Sequence, residues 1–474
     1  MKKIFFILFI AFIPFTIVNA QKVWSLQNCI DYALANNIQV KQQQLNEQLA
    51  KVSLTQSKLG LVPNLNGDVS HAYNYGKTID MYTNEFATST VQSDNFYLSS
   101  SVTLFNGFQL LNTIKQNKIN LQANQFDLEK MMNDISLNLA TAYLQILYNI
   151  EILNNAKNQL TVTNQQVKRT QELFNAGTVA KGTLLTLEAQ AATEEFSVVT
   201  AQNYLDLSYL TLTQMLDLPS TNNFAIEIPK LDLNIESSVL TLPEQIYAIA
   251  SSKQPEIKSA ELKVQSNEIG LSIARGMRSP ALSLRVTYGT GFSGASKKIK
   301  GYQMNGLDTI GFTAESFPVY VVAPGITPQY ENIPFKDQIN DNVNKSISFN
   351  LSIPIFNGWQ TNTAISKAKI AIQNAEYSLQ TAKSTLLKNI QQAYADALAA
   401  QNKYKSSKKS VEALNESYKY AEQKFDVGLL NTTDYNDAKN KLAEAESNLL
   451  QAKYEYVFRL KVLDFYMGKP IELK

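Results

Sequence analysis

Two hydrophobic periods alternate along the chain. From Leu26 to Leu61, and again from Leu242 to Met277, apolar residues recur at helical spacing among many Gln, Lys and Ala. Each stretch stops just before a proline, Pro63 or Pro280. The period then becomes two. Leu65, Val69, Tyr73 and Tyr75 share one parity, and Asn64, Asn66, Asp68, Ser70 and Asn74 the other. Residues 95–105 place Phe96, Leu98, Val102 and Leu104 on one face. Leu282, Leu284, Val286 and Tyr288 alternate with Ser283, Arg285 and Thr287, and Ile347, Phe349, Leu351, Ile353 and Ile355 alternate with polar residues. These four segments fit membrane-spanning strands of about ten residues. An ordinary half-buried sheet shows the same alternation.

A Phe-Asn-Gly follows the second and the fourth strand segment, at Phe105-Asn106-Gly107 and Phe356-Asn357-Gly358. Helical period returns at both. Leu139, Ile146, Leu153, Leu160, Val167 and Phe174 recur every seven residues, as do Ile390, Ala397, Tyr404, Val411, Tyr418 and Phe425. Residues 108–174 and 359–425 hold no proline or glycine. That predicts two helices of roughly 100 Å, a length that coiled-coil packing supports. Gly177 or Gly428 ends each one, and a shorter helix returns to about Leu216 or Met467. Each return helix is about half the long one, and the opening helix of the repeat supplies the other half.

The two halves are copies. A shift of 251 carries Leu104-Phe105-Asn106-Gly107 onto Ile355-Phe356-Asn357-Gly358, Ala142-Tyr143 onto Ala393-Tyr394, and Phe174-Asn175-Ala176-Gly177 onto Phe425-Asp426-Val427-Gly428. Upstream, Pro63 matches Pro280 at 217, while Leu26 and Ile30 match Leu242 and Ile246 at 216, one out of step. The second copy thus carries 34 extra residues, within 289–345, read as a long loop facing outward. The repeats are 21–216 and 242–467, joined by the linker 217–241 and followed by 468–474.

The N-terminus has a charged start, Met1-Lys2-Lys3, an apolar run to Val18, and a small residue at Ala20 before Gln21. This is the form of a signal peptide over 1–20, with a signal anchor as the alternative. A net charge of +2 argues against nucleic acid. One histidine, His71, and one cysteine, Cys29, leave little room for zinc or thiol chemistry. No catalytic set, cofactor loop or metal cluster is legible. Glu194-Glu195 reads as a solvated pair on a polar helix. Gly289-Thr290-Gly291 reads as a surface turn, and His71 as a residue near a membrane interface.

Four strands cannot close a barrel, and an open edge in lipid costs several kcal/mol per unpaired backbone group. Two copies would give eight strands and a filled interior; three give twelve and a watery lumen. The fold class expected is mainly α with a membrane β-barrel. Long coiled-coil helices form a periplasmic α-barrel, and four strands per chain contribute to a 12-stranded trimeric barrel.

The residues resemble the TolC-like outer-membrane factor family over essentially the whole mature chain. The resemblance rests on Leu26-Gln27-Asn28-Cys29-Ile30 with Ala33-Leu34-Ala35-Asn36-Asn37, on Leu61-Val62-Pro63, on the duplicated Phe-Asn-Gly, and on Phe425-Asp426-Val427-Gly428-Leu429. It implies a homotrimer in outer-membrane lipid of a Gram-negative-type bacterium, working as the exit duct of an efflux or type I secretion system. The partners implied are a periplasmic adaptor protein and an inner-membrane pump. The tips Ala176, Gly177, Thr178, Val427, Gly428 and Leu429 would contact the adaptor. Residues 217–241 and 468–474 would form an equatorial belt. Asp434 and Asp437 match the family's entrance constriction, and three residues apart on a helix they share a face. The first copy has Thr183 and Thr186 there, and Leu430 stands where well-known members have arginine, so the gating network differs. The competing reading is a structural periplasmic or surface coiled coil without a channel. It leaves four duplicated amphipathic strands unexplained.

Overall fold

The computed structural model describes residues 23–87, 90–221, 224–229, 240–314, 316–317 and 319–470. The expected signal peptide lies outside the described residues, as do parts of the linker and of the C-terminal segment. In chain order the elements are β1 (Val23–Trp24), α1 (Leu26–Asn36), α2 (Ile38–Leu59), β2 (Asn64–Asn74), β3 (Thr78–Ile79), β4 (Phe86–Ala87), β5 (Val91–Asn106), α3 (Gln109–Asn175) and α4 (Lys181–Met215). There follow β6 (Ala225–Ile226), α5 (Pro243–Lys253), α6 (Pro255–Gly276), β7 (Ala281–Ser293), β8 (Lys297–Phe312), β9 (Tyr320–Asn332), α7 (Phe335–Asp341), β10 (Asn344–Ser352), α8 (Gln360–Asp426) and α9 (Thr432–Tyr466).

The duplication is visible in the element bounds. Helices α3 and α8 are each 67 residues and α4 and α9 each 35, all offset by 251. Helices α1 and α5 are each 11 residues and α2 and α6 each 22, offset by 217. The opening helices therefore share the 217 shift of the prolines, and the 216 match is corrected. Burial agrees: Cys29 and Ala33 correspond to the buried Ile246 and Ala250.

Each opening stretch is two helices instead of one. Asn37 leaves helical geometry (φ −59°, ψ 130°), and its side-chain oxygen accepts from the N–H groups of Gln39 (2.9 Å) and Val40 (3.3 Å), capping α2. At the matching break Gln254 is extended because Pro255 follows it.

Two compact units divide the chain. One comprises residues up to Ala50, Ile119–Val264 and Asn374–Lys474; the other comprises Lys51–Lys118 and Gln265–Gln373. The first holds the hydrophobic clusters, built from the heptad residues Leu139, Ile146 and Leu153 with α1, and from Ile390 and Ala397 with α5. Tyr143 sits within hydrogen-bond reach of the Glu227 carbonyl (2.6 Å) and the Trp24 carbonyl (3.1 Å). It thereby ties α3 to the parallel pair β1–β6. Burial pushes its phenol well above the usual value.

The second unit holds an antiparallel four-stranded sheet ordered β10-β7-β5-β2. Strand β10 stops at Ser352, short of Ile353 and Ile355, because Pro354 cannot donate to the ladder. Gly289-Thr290-Gly291 is not a turn but the outer part of β7, paired with Tyr97, Phe96 and Asn95. A Cβ at Gly289 would strike the Tyr97 ring, and one at Gly291 the Tyr82 phenol; the glycines make room for two aromatic side chains. The stretch read as one long loop, 289–345, holds the end of β7, the hairpin β8–β9 and the short helix α7.

The two Phe-Asn-Gly turns adopt the same backbone: Gly107 and Phe108 have φ of 65° and 62°, and Gly358 and Trp359 60° and 67°. Their surroundings differ. A Cβ on Gly107 would collide with the Gly276 carbonyl oxygen and come within 2.6 Å of Ser279 Cβ, whereas nothing lies within 4 Å at Gly358. Gly358→Ala should cost roughly 1–2 kcal/mol for the left-handed backbone. Gly107→Ala should cost that plus about 1–3 kcal/mol for overpacking. Unfolding midpoints of the two variants check this; equal losses would contradict the packing at Gly107.

Candidate functional site

Both helical tips close in the same way. At the first, Gly177 (φ 74°) donates to Phe174 O at 2.9 Å and Thr178 to Leu173 O at 3.0 Å. At the second, Gly428 (φ 76°) donates to Phe425 O at 3.0 Å and Leu429 to Lys424 O at 2.8 Å. These paired bonds define a Schellman motif, which satisfies terminal carbonyls and needs a residue free to take positive φ. Ala176, Gly177, Thr178, Val427, Gly428 and Leu429 are all exposed, so the tips present small and apolar groups to solvent. Behind the second tip, Phe425 stacks on Tyr435 with centroids 4.5 Å apart, and the Tyr418 and Tyr435 hydroxyls lie 2.9 Å apart.

Asp434 and Asp437 lie in the first turns of α9 and are exposed. Each has a local partner. Asn431 caps the helix: its Oδ1 accepts from Asp434 N (2.9 Å), and its Nδ2 donates to Asp434 Oδ2 (2.8 Å). Lys441 donates to Asp437 Oδ2 at 2.7 Å, one helical turn on. In the first repeat Ala180 stands at the cap and offers no side-chain bond. Thr183 and Thr186 stand where the second repeat has its acids, and Leu430 is half-buried.

Glu194 is not solvated as its sequence context suggested. It is 8% exposed, while Glu195 remains open to solvent. Its carboxylate accepts from Lys439 Nζ at 3.0 and 3.3 Å, from Thr163 Oγ1 at 2.6 Å, and from Gln190 Nε2 at 2.9 Å. Lys439, 4% exposed, also donates to Gln159 O at 2.9 Å and to the Thr163 hydroxyl. Burial pulls the lysine's pKa down, opposed by Glu194. The group joins α3, α4 and α9, and so links the two helical hairpins. Nearer the tips, Arg169 of α3 donates to Asp426 of α8 at 2.5 Å. Neither link has a counterpart in the other repeat, so the duplication gave no hint of them. The available signal was local: Lys439 continues the buried row Thr432, Tyr435 and Leu442 of α9, where an apolar side chain belongs.

The sheet separates its faces row by row. Leu65, Ser100, Val286 and Ile347 lie across one face, as do Val102, Leu284 and Phe349. On the other face Asn64, Ser101, Arg285 and Ser348 form a row, and so do Asn66, Ser99, Thr287 and Ser346. Leu65, Val69, Ile347 and Phe349 are each about 70% exposed. A half-buried sheet of a water-soluble protein covers its apolar face; this one leaves it bare, as a lipid-facing sheet does. Phe105, Phe108, Phe356 and Trp359 are exposed at the strand-to-helix turns, where an interfacial aromatic belt belongs. Asn106 Oδ1 accepts from Leu110 N at 3.3 Å, and Asn357 bonds Thr361, so each turn's asparagine starts the next helix. His71 lies on the apolar-parity face, hydrogen-bonded to Asp94 directly across the β2–β5 pair. Among the described residues no helix is long and apolar enough to cross a membrane, and no cluster of three or more His, Cys, Asp or Glu could hold a metal.

The chain belongs to the outer membrane efflux protein family, which matches residues 29–217 and 246–469. It is 23% identical over 436 residues to outer membrane protein TolC of Escherichia coli K12, covering 91% of this chain and 80% of that protein. In fold it resembles the outer membrane protein VceC from Vibrio cholerae, with a TM-score of 0.72, 15% identity, and coverage of 94% of this chain and 97% of that one. It also resembles the open state of the Neisseria gonorrhoeae MtrE outer membrane channel, with a TM-score of 0.70, 15% identity, and coverage of 95% and 90%. The protein is an outer-membrane exit channel for efflux, and its family is one of channels. The coiled coil without a channel is not favoured.

Proposed function

We propose that three copies of this chain close a 12-stranded barrel and act as the exit duct of a tripartite efflux or type I secretion system. One observation carries the reading: a four-stranded sheet with a bare apolar face and with β10 and β2 as its outermost strands. Such edges need partners in lipid, and further copies of the same sheet supply them with cyclic symmetry. The row of Asn, Ser, Thr and Arg on the opposite face suits a watery lumen.

In this reading residues 1–20 are a signal peptide and 21–216 and 242–467 the two repeats. Residues 217–241 and 468–474 contribute an equatorial belt; the bonds from Tyr143 to Trp24 and Glu227 support that role for the linker. The exposed tips at Gly177 and Gly428 dock a periplasmic adaptor, which couples the duct to an inner-membrane pump. Asp434 and Asp437 line the periplasmic entrance. The cargo, drugs or other small molecules or proteins, moves passively, with neither cofactor nor catalytic residues.

Two measurements test this. The detergent-solubilised protein should have the mass of a trimer, and in planar bilayers it should conduct in steps of one size. A monomer or dimer with full strand content by circular dichroism would refute the closure argument.

A further inference from the structure

Among the described residues, the first repeat has only the two-residue pair β3–β4 between its two sheet strands, whereas the second has a long hairpin. Three residues after β7 ends at Ser293, the chain enters β8 and returns antiparallel in β9. Strand β9 runs without a bulge, so its even and odd positions point to opposite faces. The even positions from 320 to 330 are Tyr320, Val322, Pro324, Ile326, Pro328 and Tyr330, all apolar or aromatic, and the row ends on Asn332 at the base. The register sets Phe312, Thr309, Leu307, Met304, Tyr302 and Ile299 opposite them, hence on the same face, with Thr309 the one polar member. That face is open: Met304 is 74% exposed and Leu307 68%. The other face, with Gln303, Thr327, Asp308 and Gln329, is mostly polar.

A bare apolar stripe of this extent marks an interaction surface. Its edges resist extension by another strand. Pro324 and Pro328 lack the N–H that a ladder on β9 needs, and β8 carries three register shifts. The hairpin therefore offers a face and not an edge. Its base is basic: Lys297, Lys298 and Lys300 stand together, with Glu331 at 3.6 Å from Lys298 and 3.8 Å from Lys300.

We propose that the β8–β9 hairpin docks on the outer leaflet of the membrane, its apolar face resting against lipid and its basal lysines binding the phosphates of anionic lipid. Two features select lipid over protein. Strand β7 belongs to the sheet whose bare apolar face meets lipid, and the hairpin leaves that strand at the end remote from the Phe-Asn-Gly turns, which is the outer rim of the membrane. The positive base suits an anionic headgroup layer, with lysine stems lying along apolar surface and their ammonium groups at the phosphates. Tyrosines at both ends of the stripe have the amphipathic character of interfacial residues.

The proposal rests on the sheet crossing the outer membrane, so its test includes a reporter for that. Nitroxide labels are placed singly on Met304→Cys, on Gln303→Cys of the opposite face, and on Phe349→Cys of the sheet. Cys29 is buried and its thiol pushed up to about 12, so it stays unlabelled. The full-length protein is reconstituted in vesicles of phosphatidylethanolamine and phosphatidylglycerol. Collision with oxygen, which partitions into lipid, is compared with collision with a water-soluble nickel chelate.

The label at 304 should favour oxygen severalfold over the label at 303, and approach the label at 349. A 304 label that meets nickel freely while 349 favours oxygen overturns the hairpin proposal alone. A 304 label shielded from both reagents points to a second copy or another protein as the occupant, and also overturns it. If 349 meets nickel too, the membrane placement of the sheet fails. Replacing phosphatidylglycerol by phosphatidylcholine should lower the oxygen preference at 304. The K297Q/K298Q/K300Q variant should no longer respond to that exchange, and an undiminished response refutes the role given to the lysines.

Discussion

Lys439→Met is expected to destabilise the helical region by roughly 3–5 kcal/mol, because it strands the Glu194 carboxylate in the interior without its cation. Both side chains are about nine-tenths buried or more, so solvent screening offers little relief. The double variant Lys439→Met/Glu194→Leu should recover most of that loss. A buried ion pair is costly to break from one side but often replaceable as a unit, since its desolvation cost rivals its attraction. The lysine's lowered pKa has the sign that this requires, with burial outweighing the attraction of Glu194. Because the native value lies below the ordinary 10.5, the unfolded chain holds this proton longer as the pH rises. Stability should therefore climb with pH between the depressed native value and 10.5, and the Lys439→Met variant should lack that climb. Denaturant unfolding followed by the helical circular dichroism signal, across the double-mutant cycle, measures all of this. A double variant as unstable as the single one would mean that the pair holds the hairpins by more than mutual neutralisation.

The same cluster marks the limit of what the sequence discloses. Element type and order were legible because the physics that sets them is periodic: seven-residue spacing in α3 and α8, two-residue spacing in the strands, glycine where a helix must end at positive φ. The copies disciplined one another, and the bounds of the four long and short helices repeat at 251 in the structure as in the sequence. Where the reading missed, the cause was a partner distant in sequence. Glu194 looked solvated because Thr163 and Lys439, which enclose it, lie on other helices. Gly289 and Gly291 looked like a turn because Tyr97 and Tyr82, whose rings need the space, are about two hundred residues away. The extra residues of the second repeat looked like loop because β8 is bulged and β9 carries two prolines, which obscures the strand signal. Asp434 and Asp437 are singled out only by their match to the family's entrance constriction, and the structure adds what the match could not contain, the local partners of each.

Those partners set the sign and rank of the second large effect. If Asp434 and Asp437 line the entrance, three chains place six carboxylates in a narrow ring, and a ring of acids favours cations. Asp437 already has an ammonium at 2.7 Å from Lys441 of its own helix, so much of its field is cancelled locally. Asp434 is held by Asn431, a neutral amide that orients the carboxylate and leaves its charge intact. Asp434→Asn should therefore weaken cation preference in planar bilayers more than Asp437→Asn, and the double variant should also relieve block by multivalent cations. Lys441→Gln should act in the opposite sense and strengthen both, since it uncovers three carboxylates. None of these variants should disturb folding or assembly measurably, because exposed ion pairs and first-turn acids contribute little. The decisive comparison is Asp434→Asn against Lys441→Gln in one bilayer assay. Shifts of opposite sign place both side chains on the conduction path. If selectivity and block stay unchanged in both, these residues do no more than cap and solubilise the start of α9, and the constriction lies elsewhere.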